Sequence, residues 1–566
     1  MGVLLVLFFF SGLSVWPAGR QAPASQAADP GLVKELQALI EAREWERVLR
    51  ILPQSAEVPA ELDYYRGLAL AGLQRWGEAA SAFLTGQEKA PGDKRFPLEL
   101  AGVDFKQGNL DVALRHLCRA LKLDPADSYA RDFLAGVYFL QGNQEAALQN
   151  WNRVGRPVLE GVKAVPVPRL DPVLLDRCYA FAPASLLRWE DYQTTRARLQ
   201  SLQIFSSYRL ELVPRADGKF DSVLRSIEKH GWGGSKLESL VSVFRGLPYR
   251  TVLPEYFGIR RSAVNFQSLA RWDPQKRRIA ANLAGPIART PEWRFHFRLD
   301  GRDEEWDLTP QDGAALGLPA RFRMRTLKGE TGVERLVGGR WMWETSVEAG
   351  TREYDDRVPQ DTDTSALFAR GFSLKQSARV GYEVLSLPTR RLTLRSSAAG
   401  RWGKVFEGTR GPWGSLSAGL DLTWFPRPRG SDYRFGARLS AARSGGAIPF
   451  DELYSLGFDR DNEIYFRAHN GIVEGRKGAG PLAADYFLFS LDLDKDLYRK
   501  TLWRVVLTPY LDSGKAWGID GRLGSGRWLW DIGLQLKLVF FERVSLILSY
   551  GKDLRSGRNT FFSKTY

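Results

Sequence analysis

Cysteine and histidine are scarce in this chain of 566 residues: two Cys, Cys118 and Cys178, and four His, His116, His230, His296 and His469. Two thiols exclude a disulfide framework and most zinc-site patterns, and spacing alone does not decide whether the two meet. Long apolar runs are also missing. After residue 28 no segment is long and apolar enough for a helical membrane span, although alternating barrel strands would leave no such run. No G-x-S-x-G elbow, Walker loop or H-E-x-x-H stretch occurs, so the expectation is a non-enzyme with no cofactor and no metal. The net charge is +15, but no basic helix or recognition motif accompanies it, so no nucleic-acid partner is expected.

What is present points elsewhere. The chain is too long for one core, so roughly two to four units are expected. It opens with an apolar run from Val3 to Val15 followed by small residues. That is the length of a signal peptide, with Ala22-Pro23-Ala24 as an A-x-A cleavage site and Ala27 as a second candidate. Residues 1–24 are accordingly expected to be a leader to an export pathway.

Two QGN triplets, Gln107–Asn109 and Gln141–Asn143, lie one repeat apart. Around them Gly67, Ala79, Phe83 and Pro91 are echoed by Ala101, Ala113, Ala120 and Pro125. A third set, Ala135, Tyr138, Ala147 and Trp151, follows. Small residues for close helix contact, aromatics between them and a closing Pro at a period of about 34 resemble tetratricopeptide repeats. An all-α solenoid is expected over residues 29–160, with its first repeat degenerate, followed by a proline-rich linker over 161–171.

From Pro172 an amphipathic helix (Trp189 to Leu202) leads into two strands, Tyr208 to Val213 and Phe220 to Ile227, joined by a Pro-Arg-Ala-Asp-Gly turn. The text RARLQSLQIF, SSYRLELVP and DGKFDSVLRSIE resembles a POTRA domain, a small α+β periplasmic module, here spanning 172–230. Ala184 stands where that family usually has Gly.

The C-terminal half alternates. Trp293, Phe295, Phe297 and Leu299 oppose Arg294, His296, Arg298 and Asp300, and Phe322 and Met324 oppose Arg321, Arg323 and Arg325. Leu416, Ala418, Leu420, Leu422 and Trp424 oppose Ser417, Gly419, Asp421 and Thr423, and a run from Trp528 to Phe540 does the same. Strings of about 9–13 residues with aromatics at their ends suit tilted strands crossing a bilayer, and lipid tolerates no open sheet edge. Residues 259–566 are therefore expected to form a transmembrane antiparallel β-barrel of roughly 13 to 16 strands, with 16 the favoured number. The basic residues of the polar strand face are expected to line the lumen.

One long Gly-rich loop interrupts this pattern. PFDELYSLGF (Pro449 to Phe458) and FRAHNG (Phe466 to Gly471) precede a strand over Asp485–Asp494, and a later strand ends Tyr510-Leu511-Asp512-Ser513-Gly514. This resembles the barrel of the BamA/TamA-type outer-membrane assembly and translocation superfamily, the bacterial surface antigen family. There P-F-x-E-x-F/Y-x-x-G-G leads into a loop that folds back into the lumen, tipped by Arg-Gly-aromatic. Pro449, Phe450, Glu452, Tyr454 and Gly457 match, and Phe458 replaces the second Gly. Arg467 matches the tip, with Ala468 for Gly and His469 for the aromatic. Tyr510, Asp512 and Gly514 match the strand motif. The resemblance implies an Arg467–Asp512 bridge that locks the loop, and the strand pattern turns Asp492 inward as a second acceptor.

The resemblance also implies a place in the bacterial outer membrane with periplasmic N-terminal domains. The partners it implies are membrane lipids and client outer-membrane or secreted proteins, handled through strand addition at Ser207–Val213. A barrel seam is expected between Ala263–Arg271 and Asn559–Tyr566, and a periplasmic partner at the tetratricopeptide repeats. Two rivals stand beside general assembly: an exopolysaccharide export porin, which also joins such repeats to a barrel, and a dedicated pore for one surface protein.

Overall fold

The structure is a computed structural model that describes residues 28–53, 58–232, 236–308, 321–358, 367–407, 410–500, 503–518, 526–540 and 544–565. The leader, both candidate cleavage positions and Tyr566 lie outside the described residues. The chain divides into two compact units, one ending at Val137 and the other running from Tyr138 to Tyr566.

The first unit is helical. Helices Ala60–Gly72 and Trp76–Lys89 form one hairpin, and Arg95–Lys106 and Leu110–Leu123 the next. The helices starting at Trp76, Leu110 and Gln144 begin 34 residues apart. The tight turns need a left-handed residue, supplied by Gln74 (φ 59°) and by Gly108 (φ 80°). Close packing within the first hairpin depends on Gly67: a Cβ there would lie 2.3 Å from the buried Phe83 ring. Helices Pro30–Glu41 and Trp45–Ile51 extend the stack, burying Leu36, Leu39 and Val48 against Leu62 and Tyr65.

The second unit begins with a three-stranded mixed sheet. Leu159–Ala164 pairs in parallel with the central strand Phe220–Glu228, and Phe205–Pro214 pairs antiparallel on its other side. Helices Pro172–Cys178 and Trp189–Ser201 lie between the first and second strands in the chain. The first strand falls in residues that the sequence pattern assigned to the end of the repeat region and the linker. It has only six residues between prolines, which hid its pattern. Trp151 at the end of the helix Gln144–Trp151 packs on Phe220, with ring centroids 5.2 Å apart, tying that helix to the sheet. Ala184 has φ 58°, the left-handed region where Gly sits without strain and Ala costs about 1 kcal/mol. Cys118 and Cys178 are free thiols. Cys178 is buried in the helix Pro172–Cys178, and burial pushes its thiol up to about 12.

The rest is one sheet curved into a barrel. Its order includes eighteen strand segments, of which Thr251–Val252, Ile472–Val473 and Arg476–Lys477 have two residues each. The fifteen longer staves follow chain order from Glu255–Ile259 and Val264–Asp273 to Val544–Asp553 and Asn559–Thr565, each antiparallel to the next. Thr251–Val252 and Glu255–Ile259 both pair with Val264–Asp273, so they are one interrupted stave. The wall thus starts at Thr251, ahead of the expected start at Ile259 and of the first strand placed near Ala263–Arg271, and fifteen long staves stand where 16 strands were favoured.

Alternation holds on most staves: Phe297, Leu299, Leu416, Leu420, Trp528 and Trp530 are exposed on the outer face. It inverts at one rim. Phe322 and Met324 point inward with Trp306, Tyr354, Phe368 and Phe450 to form a buried apolar cluster. Arg321 and Arg323 instead lie along the wall on Asp307 and Asp303. These arginines do not line the lumen. At this rim the alternation follows the inner cluster. Among the described residues no helix is long and apolar enough to cross a membrane.

Candidate functional site

The segment from Ile448 to Ala484 does not project from the rim. It folds back into the barrel and is held to itself by backbone bonds: Phe458 N donates to His469 O (2.6 Å), Gly471 N to Phe458 O (2.8 Å) and Leu456 N to Pro481 O (2.8 Å). Three passes of chain cross at glycines. A Cβ on Gly457 would come within 2.6 Å of Gly471 Cα and 2.7 Å of Gly480 Cα. Only glycine permits that approach.

Arg467 sits at the inner tip. Its Nε and Nη2 donate to Asp512 (2.8 and 2.5 Å), Nη1 donates to Asp492 (2.5 Å), and its backbone N also donates to Asp512 (3.1 Å). Asp512 is fully buried, so the planar fork of Arg compensates a carboxylate that water does not reach. The Tyr510 ring lies under the guanidinium at 3.9 Å. Tyr510 in turn fills space left by Gly533 and Gly551, where a Cβ would meet its hydroxyl at 2.5 and 2.3 Å. Gly514 makes room for Phe466, which is buried against the wall with Leu456, Tyr486 and Leu488.

The two tip substitutions have their own partners. Ala468 N donates to Asp531 (2.8 Å), and Thr560 donates to Ala468 O (2.7 Å). His469 places Nδ1 3.2 Å from Asp531 and Nε2 3.7 Å from Asp553. His469, Asp531 and Asp553 could hold a metal ion, as could His296, Glu330 and Glu344. In both groups the two ring nitrogens face different carboxylates, at 3.2–3.7 Å.

The front of the loop carries the opposite charge. Glu452 is buried and meets Lys328, Lys375 and Arg401 at 3.0–3.1 Å. Tyr454 bonds to Ser415 (2.7 Å), and Pro449 leads into Phe450, whose ring packs on Trp306 in the rim cluster. Phe458, in place of the second Gly, stacks on Phe562 of the last stave with centroids 3.5 Å apart. The sequence pattern missed the next contacts. Asp461 binds Arg271 and Arg278 at 2.7 and 2.8 Å, Asp459 binds Lys276 at 2.6 Å, and Lys477 binds Glu304 at 2.9 Å. The signal available was the acid pair in FDRDNE facing basic residues on the alternating polar face.

No family model matches the chain, and no curated protein matches it. Among solved structures, CdiB from Escherichia coli aligns over 72% of this chain and 74% of its own at 13% identity and a TM-score of 0.47. CdiB from Acinetobacter baumannii aligns over 95% and 98% at 10% identity and a TM-score of 0.41. BamA from Haemophilus ducreyi lacking POTRA domains 1–3 aligns over 73% and 84% at 11% identity and a TM-score of 0.42. At that level of likeness, function rests on the chain's own residues.

Proposed function

We propose that this chain is an outer-membrane β-barrel that inserts or translocates other proteins, with its helical repeats acting as a tetratricopeptide region and its three-stranded domain as a POTRA-like module, both in the periplasm. The observation that carries the reading is the loop folded into the lumen with Arg467 in a fork of Asp512 and Asp492. A machine that opens for clients needs a lumen that is braced and obstructed at rest, and buried ion pairs fix one geometry at that place. An apolar outer face over an inner polar one suits a bilayer.

The small domain supports a client-binding role. Its strand Phe205–Pro214 lies at the sheet edge. It faces a cavity of about 1100 Å³ lined also by Ser386, Pro388, Arg391 and Phe425 of the barrel turns. An extended client segment would add to that edge through main-chain hydrogen bonds. The reading involves no catalytic step and no cofactor. A second reading, an exopolysaccharide export porin, draws on the same pairing of helical repeats with a barrel, but it needs a lumen without a fixed strut.

Depletion of the protein followed by quantification of the outer-membrane and secreted proteomes tests the proposal. Loss of many barrel proteins makes the chain a general assembly factor, and loss of one surface protein makes it a dedicated translocator. An unchanged proteome with missing surface polysaccharide overturns the proposal in favour of the porin.

A further inference from the structure

The fifteen long staves alternate in direction from Glu255–Ile259 to Asn559–Thr565, so the first and last run the same way. The last is only seven residues long. It meets the first stave at Thr251–Val252, and just ahead of that point Tyr249 Oη lies 2.6 Å from Ser563 Oγ. The lower edge of the first stave, Leu253 to Phe257, is covered by the chain that precedes it. Gly231 and Phe257 exchange backbone bonds of 2.9 and 2.8 Å, and Leu253 N donates to Val243 O at the end of the helix Lys236–Phe244 (2.9 Å).

Among the described side chains of this helix, the exposed ones are apolar. Ser242 is buried and donates to Glu255, which Arg245 also binds at 2.8 Å, so the polar side turns toward the wall. Leu240, Phe244 and, just past the helix, Leu247 are 57, 44 and 52% exposed. Ser242 and Leu240 lie about 160° apart around the axis, on opposite faces. Ladder register fixes the depth: Tyr256 pairs with Phe266, Phe266 with Leu283, and Leu283 with Phe297. Phe297 and its neighbour Leu299 belong to the exposed apolar belt.

We propose that the helix Lys236–Phe244 is a lipid-facing piece of the barrel wall that fills the notch beneath the short last strand, with Leu240 and Phe244 against acyl chains. A strand edge bared to hydrocarbon leaves backbone groups unsatisfied, and a helix that satisfies its own backbone while covering that edge removes the defect. The inference rests on the membrane reading above, and the test separates the two.

In a Cys118→Ser, Cys178→Ala background, a bimane label is placed singly at Leu240→Cys, Phe244→Cys, Ser242→Cys and Leu416→Cys. The full chain is reconstituted into phosphatidylcholine vesicles whose acyl chains are brominated. Leu416, 72% exposed on the wall, reports lipid contact of the barrel itself. Quenching at Leu240 and Phe244 within twofold of that at Leu416, with Ser242 unquenched, is expected. Quenching at Leu416 but at neither Leu240 nor Phe244 overturns the inference and leaves the barrel reading intact. No quenching at any position overturns both.

Discussion

The front and the tip of the luminal loop carry opposite charges and hold different staves of the barrel. Its front, Asp451 to Asp461, is acidic and binds Lys and Arg from staves that precede it in the chain, from Arg271 to Arg401. Its tip, Arg467 to His469, is basic and binds carboxylates from staves that follow, Asp492 to Asp553. The first half of the wall thus supplies cations to the front of the loop and the second half supplies anions to its tip, while on the return pass Arg476 and Lys477 of the loop take Glu305 and Glu304 of an early stave. Matching the loop to only one half would leave buried charges unpaired in the other, a cost of several kcal/mol each. The loop is a strut whose charges are matched by the staves each part of it touches.

The largest loss of stability is expected at the tip. Arg467→Met leaves Asp512 buried without its cation and is expected to lower stability by about 3–5 kcal/mol. Urea unfolding in detergent micelles, followed by tryptophan fluorescence, reads the loss. The exchange Arg467→Asp with Asp512→Arg should recover part of it; if the double variant is no better than the singles, the pair does not act as a unit. Gly457→Ala strikes both ends at once, because the chain crossing at Gly471 and Gly480 has no room for a methyl group. About 3 kcal/mol is expected from backbone that cannot yield, and a loss below 1 kcal/mol would mean that the crossing opens easily. Asp461→Asn at the acidic front should cost about 2 kcal/mol, less than the tip, because Arg278 keeps Asp300. Arg438→Ala, whose pair with Asp421 is largely exposed, sharpens the contrast by costing under about 1 kcal/mol, and added salt should erase even that.

The tip was legible in the sequence and the front was only half so. Arg467 and Asp512 stood in recognisable segments, and alternation turned Asp492 inward. Asp459 and Asp461 lie in irregular backbone with no periodicity to say which way they face, and their partners are about 180 residues away in the chain. The staves themselves were legible by alternation, except where the rim cluster reverses the faces at Phe322 and Met324. The seam was half legible: the last stave, Asn559–Thr565, lies where alternation put it, but the start at Thr251 and the helix ahead of it did not show. ESLVSVF is a short apolar run that fits a strand or a helix equally, and only its neighbours decide between them. Nor did pattern reveal the strand Leu159–Ala164, whose sheet partner, Phe220–Glu228, lies some sixty residues on.

The strut also has an electrical consequence. Cavities of about 520 Å³ beside Lys328 and Glu452 and about 250 Å³ beside Arg467 and Asp492 are what it leaves free in the lumen. Both are lined by fixed charges of both signs. Ions crossing such a barrel in a planar bilayer would move one at a time past paired residues, and the resting current would be small and without strong preference for either sign. Excision of residues 450–482 would join these spaces into a single channel, and the conductance step would grow severalfold.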